Sequence, residues 1–150
     1  MTDHHVTHAT FTLERLYPAS PARVFAAWAD PAAKARWFAG TGGEHELDFR
    51  VGGREVNRGR HGDGPLLKFE SRYQDIVQDE RIVYSSTLHS EQTLTTVSLT
   101  TVELGQTDGG TRVVLTELGT YLDGHEDPAW REEGTAGWLA ALDTELRQRR

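Results

Sequence analysis

Between Thr7 and Tyr17 the chain alternates, with Phe11, Leu13, Arg15 and Tyr17 on one side and Thr10, Thr12, Glu14 and Leu16 on the other. A period of two, rich in threonine and large side chains, predicts a β-strand that stops at Pro18. Ser20-Pro21 then sets an N-cap residue before proline at the first helical position, where the missing N–H costs no hydrogen bond. The helix opened there groups Val24, Phe25 and Trp28 on one face. Asp30-Pro31 repeats the signal, and a second short helix carries Ala33 and Trp37 before Gly40, Gly42 and Gly43 end it.

From Glu44 to Leu118 the period is that of strands. HELDFR runs to Gly52-Gly53, REVNRGRH to Gly62-Asp63-Gly64-Pro65, and LLKFESRYQDIV to Gln78-Asp79-Glu80, after which RIVYSSTLHS follows. Two more strands, from about Gln92 to Leu104 and from Thr111 to Leu118, flank Asp108-Gly109-Gly110, a turn in which glycine tolerates positive φ. A loop is expected over Gly119 to Glu126. Asp127-Pro128 gives the cap signal a third time and opens a long helix on which Trp130, Gly134, Gly137, Trp138, Ala141 and Leu142 form one apolar stripe. Each helical glycine costs roughly 1 kcal/mol against alanine. Either close approach of the helix to the sheet or room for a ligand is expected to favour them.

The order is strand, two short helices, six strands and one long helix, and short links favour antiparallel neighbours. One helix against about seven strands covers only the middle of the sheet, so the sheet must curl around it. The predicted fold is therefore α+β of helix-grip type: one domain over residues 1–150, with residues 1–7 frayed. Curling one sheet around one helix also leaves space between the helix and the far part of the sheet.

A formal charge of −7, with the acidic excess in the second half, disfavours a phosphate backbone as partner. The cluster Arg50, Arg54, Arg58 and Arg60 runs against that trend; it reads as a solvated strand face, with anion or partner binding as the alternative. There is no cysteine and so no thiolate chemistry. No apolar run reaches the length of a membrane span, and the first residues lack the features of a secretory signal, so a cytoplasmic protein is expected. The histidines show no metal-binding spacing, and the HExxH, GxSxG, phosphate-loop and dinucleotide motifs are missing. Neither a metal nor a cofactor is expected.

Trp28, Trp37, Phe69, Tyr84, Trp130 and Trp138 are the candidate lining of an internal pocket, large apolar bodies of which the tryptophans and the tyrosine also carry a polar tip. Packed core is the alternative for each. Glu117 follows Val113 and Leu115 on one face of a strand, and a carboxylate turned inward there needs a partner, with Arg72 or Arg131 in reach. It is a structural, ligand-binding or catalytic candidate, with exposure to solvent as the remaining option.

Several stretches resemble the SRPBCC superfamily, of START-like or Bet v 1-like fold, in the branch related to the activator of Hsp90 ATPase (AHSA1-like). They are PARVFAAWADPAAKARWFAG, DFRVGGRE, FESRYQDIVQDERIVYSS, GGTRVVLTELG and DGHEDPAWREEGTAGWL, and by their order and spacing the resemblance as a whole covers about residues 9–146. The resemblance implies a helix-grip fold with a cavity between sheet and C-terminal helix. Members of the wider superfamily bind lipids, hormones or polyketides, and a minority catalyse cyclisation or dehydration. The branch supplies no shared catalytic set to lay on this chain. A small, partly apolar molecule is thus the expected partner; the alternatives are a cyclase, dehydratase or hydrolase working in the same cavity, or a chaperone-accessory module. The separate chaperone-binding domain of the eukaryotic activator has no counterpart among these motifs. A homodimer suits a domain of this size, though no stripe marks an interface.

Overall fold

The computed structural model describes residues 4–39 and 43–149. Seven strands form one antiparallel sheet: β1 (Val6–Tyr17), β2 (Glu44–Leu47), β3 (Arg54–Gly59), β4 (Leu67–Val77), β5 (Arg81–Ser90), β6 (Thr93–Thr107) and β7 (Gly110–Leu122). Their order across the sheet is β1-β7-β6-β5-β4-β3-β2. Every link from β2 to β7 joins neighbours, and only β1 is carried across, to pair with β7. Register shifts at Tyr73/Asp75 and at Leu88/His89 mark bulges, which bend and twist the strands and help the sheet to curl.

The three cap-plus-proline signals open helices as expected. Ser20 accepts a hydrogen bond from the Arg23 N–H at the start of α1 (Pro21–Ala29), and Asp30 accepts one from Ala33 at the start of α2 (Pro31–Lys34). Asp127 does the same for Ala129 at the head of α3 (Pro128–Gln148). After α2 the chain widens into a π-turn over Ala35–Ala39. Gly40 and Gly42, expected to end this helix, lie outside the described residues.

The second half of α3 buries Leu139, Leu142 and Leu146 in a core shared with Phe11, Val24, Trp28, Ile82, Val102 and Val113. Its middle and its end are tied down: Tyr17 donates to the Leu139 carbonyl at 2.9 Å, and Arg23 donates to the Leu146 and Arg149 carbonyls at 2.8 Å. A cation at helix C-terminal carbonyls is favourable both as donor and toward the helix dipole. No helix among the described residues is long and apolar enough to cross a membrane.

Several expectations are corrected. His4 to Thr7 are not frayed: Val6 and Thr7 pair with Leu122 and Tyr121, and the His5 N–H donates to Asp123. The loop expected from Gly119 is shorter because β7 runs on to Leu122, with the Tyr121 ring lying where a side chain at Gly119 would stand. HELDFR is strand only to Leu47. The helical stripe is also out of phase. α3 buries Arg131, Thr135, Leu139, Leu142, Glu145 and Leu146, whereas Trp130 is 64% exposed. Close approach does not explain the helical glycines either, since a Cβ at Gly134 or Gly137 meets no atom within 4 Å.

Candidate functional site

Because leucines anchor only the second half of α3, the first half is held by polar contacts and stands beside open space. A cleft of about 740 Å³ lies between that half, the π-turn and one end of β3, β4 and β5. The π-turn supplies Trp37 and Phe38. The Trp37 indole N–H donates to the Ala27 carbonyl at 2.9 Å, which fixes its ring edge-on to Trp28 with centroids 4.8 Å apart. Phe38 lies 4.4 Å from the ring of Trp138 and 6.0 Å from that of Phe69. With Trp130 at the helix head, five aromatic side chains border the cleft, and Asn57, Arg60, His61, Glu126, Arg131 and Thr135 give it polar groups.

Arg131 is the best-connected of these. Its Nε donates to Glu117 at 2.7 Å, one terminal nitrogen donates to Glu126 at 3.2 Å, and the other donates to Ser98 at 2.8 Å. The guanidinium carbon stands 5.1 Å from the Phe69 ring centroid, a cation–π distance. Glu117 also accepts from the Thr100 hydroxyl at 3.0 Å, and Glu126 from Thr96. Burial works against the arginine's charge, yet the two carboxylates outweigh it and hold the guanidinium above its ordinary value. Glu117 does turn inward, and Arg131 is its partner; Arg72 instead donates to the Gly52 carbonyl.

The expected pocket residues divide. Trp37, Phe69, Trp130 and Trp138 border the cleft. Trp28, Tyr84 and Glu117 do not: Trp28 is behind Trp37 in the core, and Glu117 sits beneath Arg131. The phenol of Tyr84 is pushed well above its ordinary value, first by burial and then by the negative charges of Glu117 and Glu55. The arginine cluster is matched by carboxylates, Arg50 with Asp48, Arg54 with Glu70, Arg58 with Glu44 and Glu46, and Arg60 with Glu91. These are exposed or half-exposed pairs, and Arg60 also borders the cleft.

A second polar cluster escaped sequence reasoning. Lys34, 1% exposed, places its ammonium 3.0 Å from Glu55 and within 4.5 to 5.4 Å of the ring centroids of Phe38, Trp28 and Trp37. The Tyr73 hydroxyl donates to Glu55 at 2.8 Å, and His45 Nε2 lies 2.7 Å from its other oxygen. Burial alone would raise the Glu55 pKa, but the Lys34 charge and the bonds from His45, Tyr73 and Lys34 prevail and hold it at about 2. Lysine is seldom buried, so nothing local singles out Lys34; the one available hint is its place beside Ala33 and three residues before Trp37, both of them core residues.

This network sets an acid limit. The folded pKa of Glu55 lies below its ordinary value of 4.5, so the unfolded chain takes up the proton first. Its stabilisation is complete above that value and is lost as the pH falls toward about 2, amounting to roughly 3 kcal/mol over the window. Urea unfolding of wild type and Glu55→Gln across this range checks it. The wild type should lose stability more steeply on acidification, and equal slopes would remove Glu55 as the cause.

A seven-stranded antiparallel sheet gripping one long C-terminal helix, with a cleft at the helix head, defines a helix-grip protein. The family described as activator of Hsp90 ATPase homolog 1-like protein matches residues 18–148, and the chain belongs to that family. A crystal structure of a protein from Rhizobium loti is 48% identical, with a TM-score of 0.89 over 94% of this chain and 99% of that one. A protein from Rhizobium leguminosarum is 39% identical, with a TM-score of 0.95 over 99% of this chain and 100% of the other. One from Chromobacterium violaceum is 28% identical, with a TM-score of 0.79 over 91% and 96% of the two chains. A search of curated proteins finds no match.

Proposed function

We propose that this chain binds a small, partly apolar molecule in the cleft at the head of α3. The observation that carries the reading is an unfilled volume of about 740 Å³ bordered by five aromatic side chains and a few converging polar groups. Pockets of roughly 300 to 1,000 Å³ with mostly apolar walls and sparse polar groups are the usual form of small-molecule sites. Binding is favoured over catalysis at Glu117, because that carboxylate is taken up by Arg131 and Thr100 and does not border the cleft. A partner surface built on the arginine cluster is disfavoured too, since each of its four arginines already faces a carboxylate.

Thermal unfolding against a panel of small aromatic and alicyclic compounds tests the reading. At least one compound should raise the wild-type Tm by several degrees, as saturation at a hundredfold excess over Kd adds about 2.7 kcal/mol. Trp138→Ala should weaken that compound's binding at least tenfold. A panel without effect on the wild type would contradict the proposal.

A further inference from the structure

Along α3, Trp130, Gly134 and Trp138 recur every fourth residue, and all three border the cleft. Positions four apart on a helix stand one above the other, so each tryptophan is about 6 Å along the axis from the glycine. Gly134 has no side chain, and a Cβ built there would touch nothing within 4 Å. The three residues therefore bound a slot, with an indole at each end and helix backbone as its floor. Trp138 is held in place by Phe38 and Phe69, at centroid distances of 4.4 and 5.8 Å. Trp130, at the other end, leaves 64% of its surface to solvent, an unusual position for so large an apolar side chain. Glycine is a poor helix residue, and no neighbour crowds this one, so what it secures here is space.

The polar wall narrows the chemistry. Of the five guanidinium N–H groups of Arg131, three go to Glu117, Glu126 and Ser98, which leaves two without a partner among the described residues. The charge of Arg131 is nevertheless already matched by two carboxylates. At Arg131 an incoming anion would meet one cation already matched by two carboxylates, Glu126 on the cleft wall and Glu117 beneath it, while Arg60, the other arginine bordering the cleft, is paired with Glu91. In a site partly shielded from water the like-charge repulsion at Arg131 is strong. An uncharged acceptor can take a free N–H without that repulsion.

Resting on the binding reading above, we infer that the slot takes a flat, uncharged aromatic molecule with a carbonyl or hydroxyl oxygen. The ring stacks over Gly134 between Trp130 and Trp138, the oxygen accepts from Arg131, and anionic analogues are rejected.

Three probes of one ring size test this by quenching of tryptophan fluorescence and by calorimetry: 2-acetylnaphthalene, 2-naphthoate and unsubstituted naphthalene. Each is titrated into wild type, Gly134→Leu and Trp138→Ala. Wild type should bind 2-acetylnaphthalene at least tenfold more tightly than either other probe. Gly134→Leu should fill the slot and lose at least tenfold in affinity while its Tm stays at or above the wild-type value, because leucine is the better helix former and the position is open. If 2-naphthoate binds as tightly as the ketone, or if Gly134→Leu binds like wild type, this inference is overturned while binding in the cleft survives. If none of the three binds, or if Trp138→Ala binds them unchanged, the inference is overturned, and the second result also removes the cleft as the site.

Discussion

Replacing Glu55 by glutamine should destabilise the protein by about 3 to 5 kcal/mol, since it removes the counter-charge of a fully buried lysine while leaving the volume almost unchanged. For a chain of this length that is a fall in Tm of roughly 6 to 20 °C. The aromatic rings around Lys34 attract its ammonium, but a cation–π contact contributes only about 1 to 2 kcal/mol and cannot replace an ionised partner. The double variant Lys34→Met/Glu55→Gln should recover most of the loss, because an apolar side chain of similar length fits among Trp28, Trp37 and Phe38 without a charge to desolvate. Chemical denaturation of the two singles and the double checks the cycle. A Glu55→Gln loss under about 1 kcal/mol, or a double variant as unstable as the sum of the singles, would mean that the pair does not act as a unit.

The second large effect is expected at Arg131. Arg131→Met should cost about 3 to 5 kcal/mol, since it strands the buried carboxylate of Glu117 and deprives Glu126 of its cation. Glu117→Gln should cost distinctly less, because Arg131 keeps Glu126 and Ser98. The asymmetry is the informative part. It follows from one cation serving two carboxylates, and denaturation curves showing equal losses would indicate that the arginine is held by Glu117 alone. Because Arg131 fixes the head of α3 against β6 and β7, its loss should also loosen the cleft wall, whereas the leucines further along the helix keep its second half in place.

What could be read from the chain beforehand was what local chemistry determines. Ser20-Pro21, Asp30-Pro31 and Asp127-Pro128 each open a helix, because a capping oxygen and a fixed proline φ act within one turn. The Asp108-Gly109 turn was legible for the same reason, with Gly109 at φ +101°. The same signals place the long helix but not its phase. Tryptophans suggested a buried stripe through Trp130, whereas the buried positions of its first half are Arg131 and Thr135, whose polarity hides them from a hydrophobic pattern. Glu117 could be marked as an inward carboxylate by alternation; its choice of Arg131 over Arg72 depends on how the helix docks. Lys34 and Glu55 were invisible because their meeting joins α2 to a strand whose position only the curled sheet determines. The cleft could be anticipated from one helix against seven strands, but which rings fill space and which border it is a matter of volume. That is why Trp28 and Tyr84 went to the core while Trp37 and Phe69 reached the cleft.

The most direct test of the central claim is a crystal structure grown in the presence of 2-acetylnaphthalene. Density for the ring is expected in the cleft at the head of α3, against Trp138 and over Gly134, with the Lys34 and Arg131 clusters unchanged. A cleft closed by its own side chains, or a ring bound only elsewhere on the molecule, would contradict it.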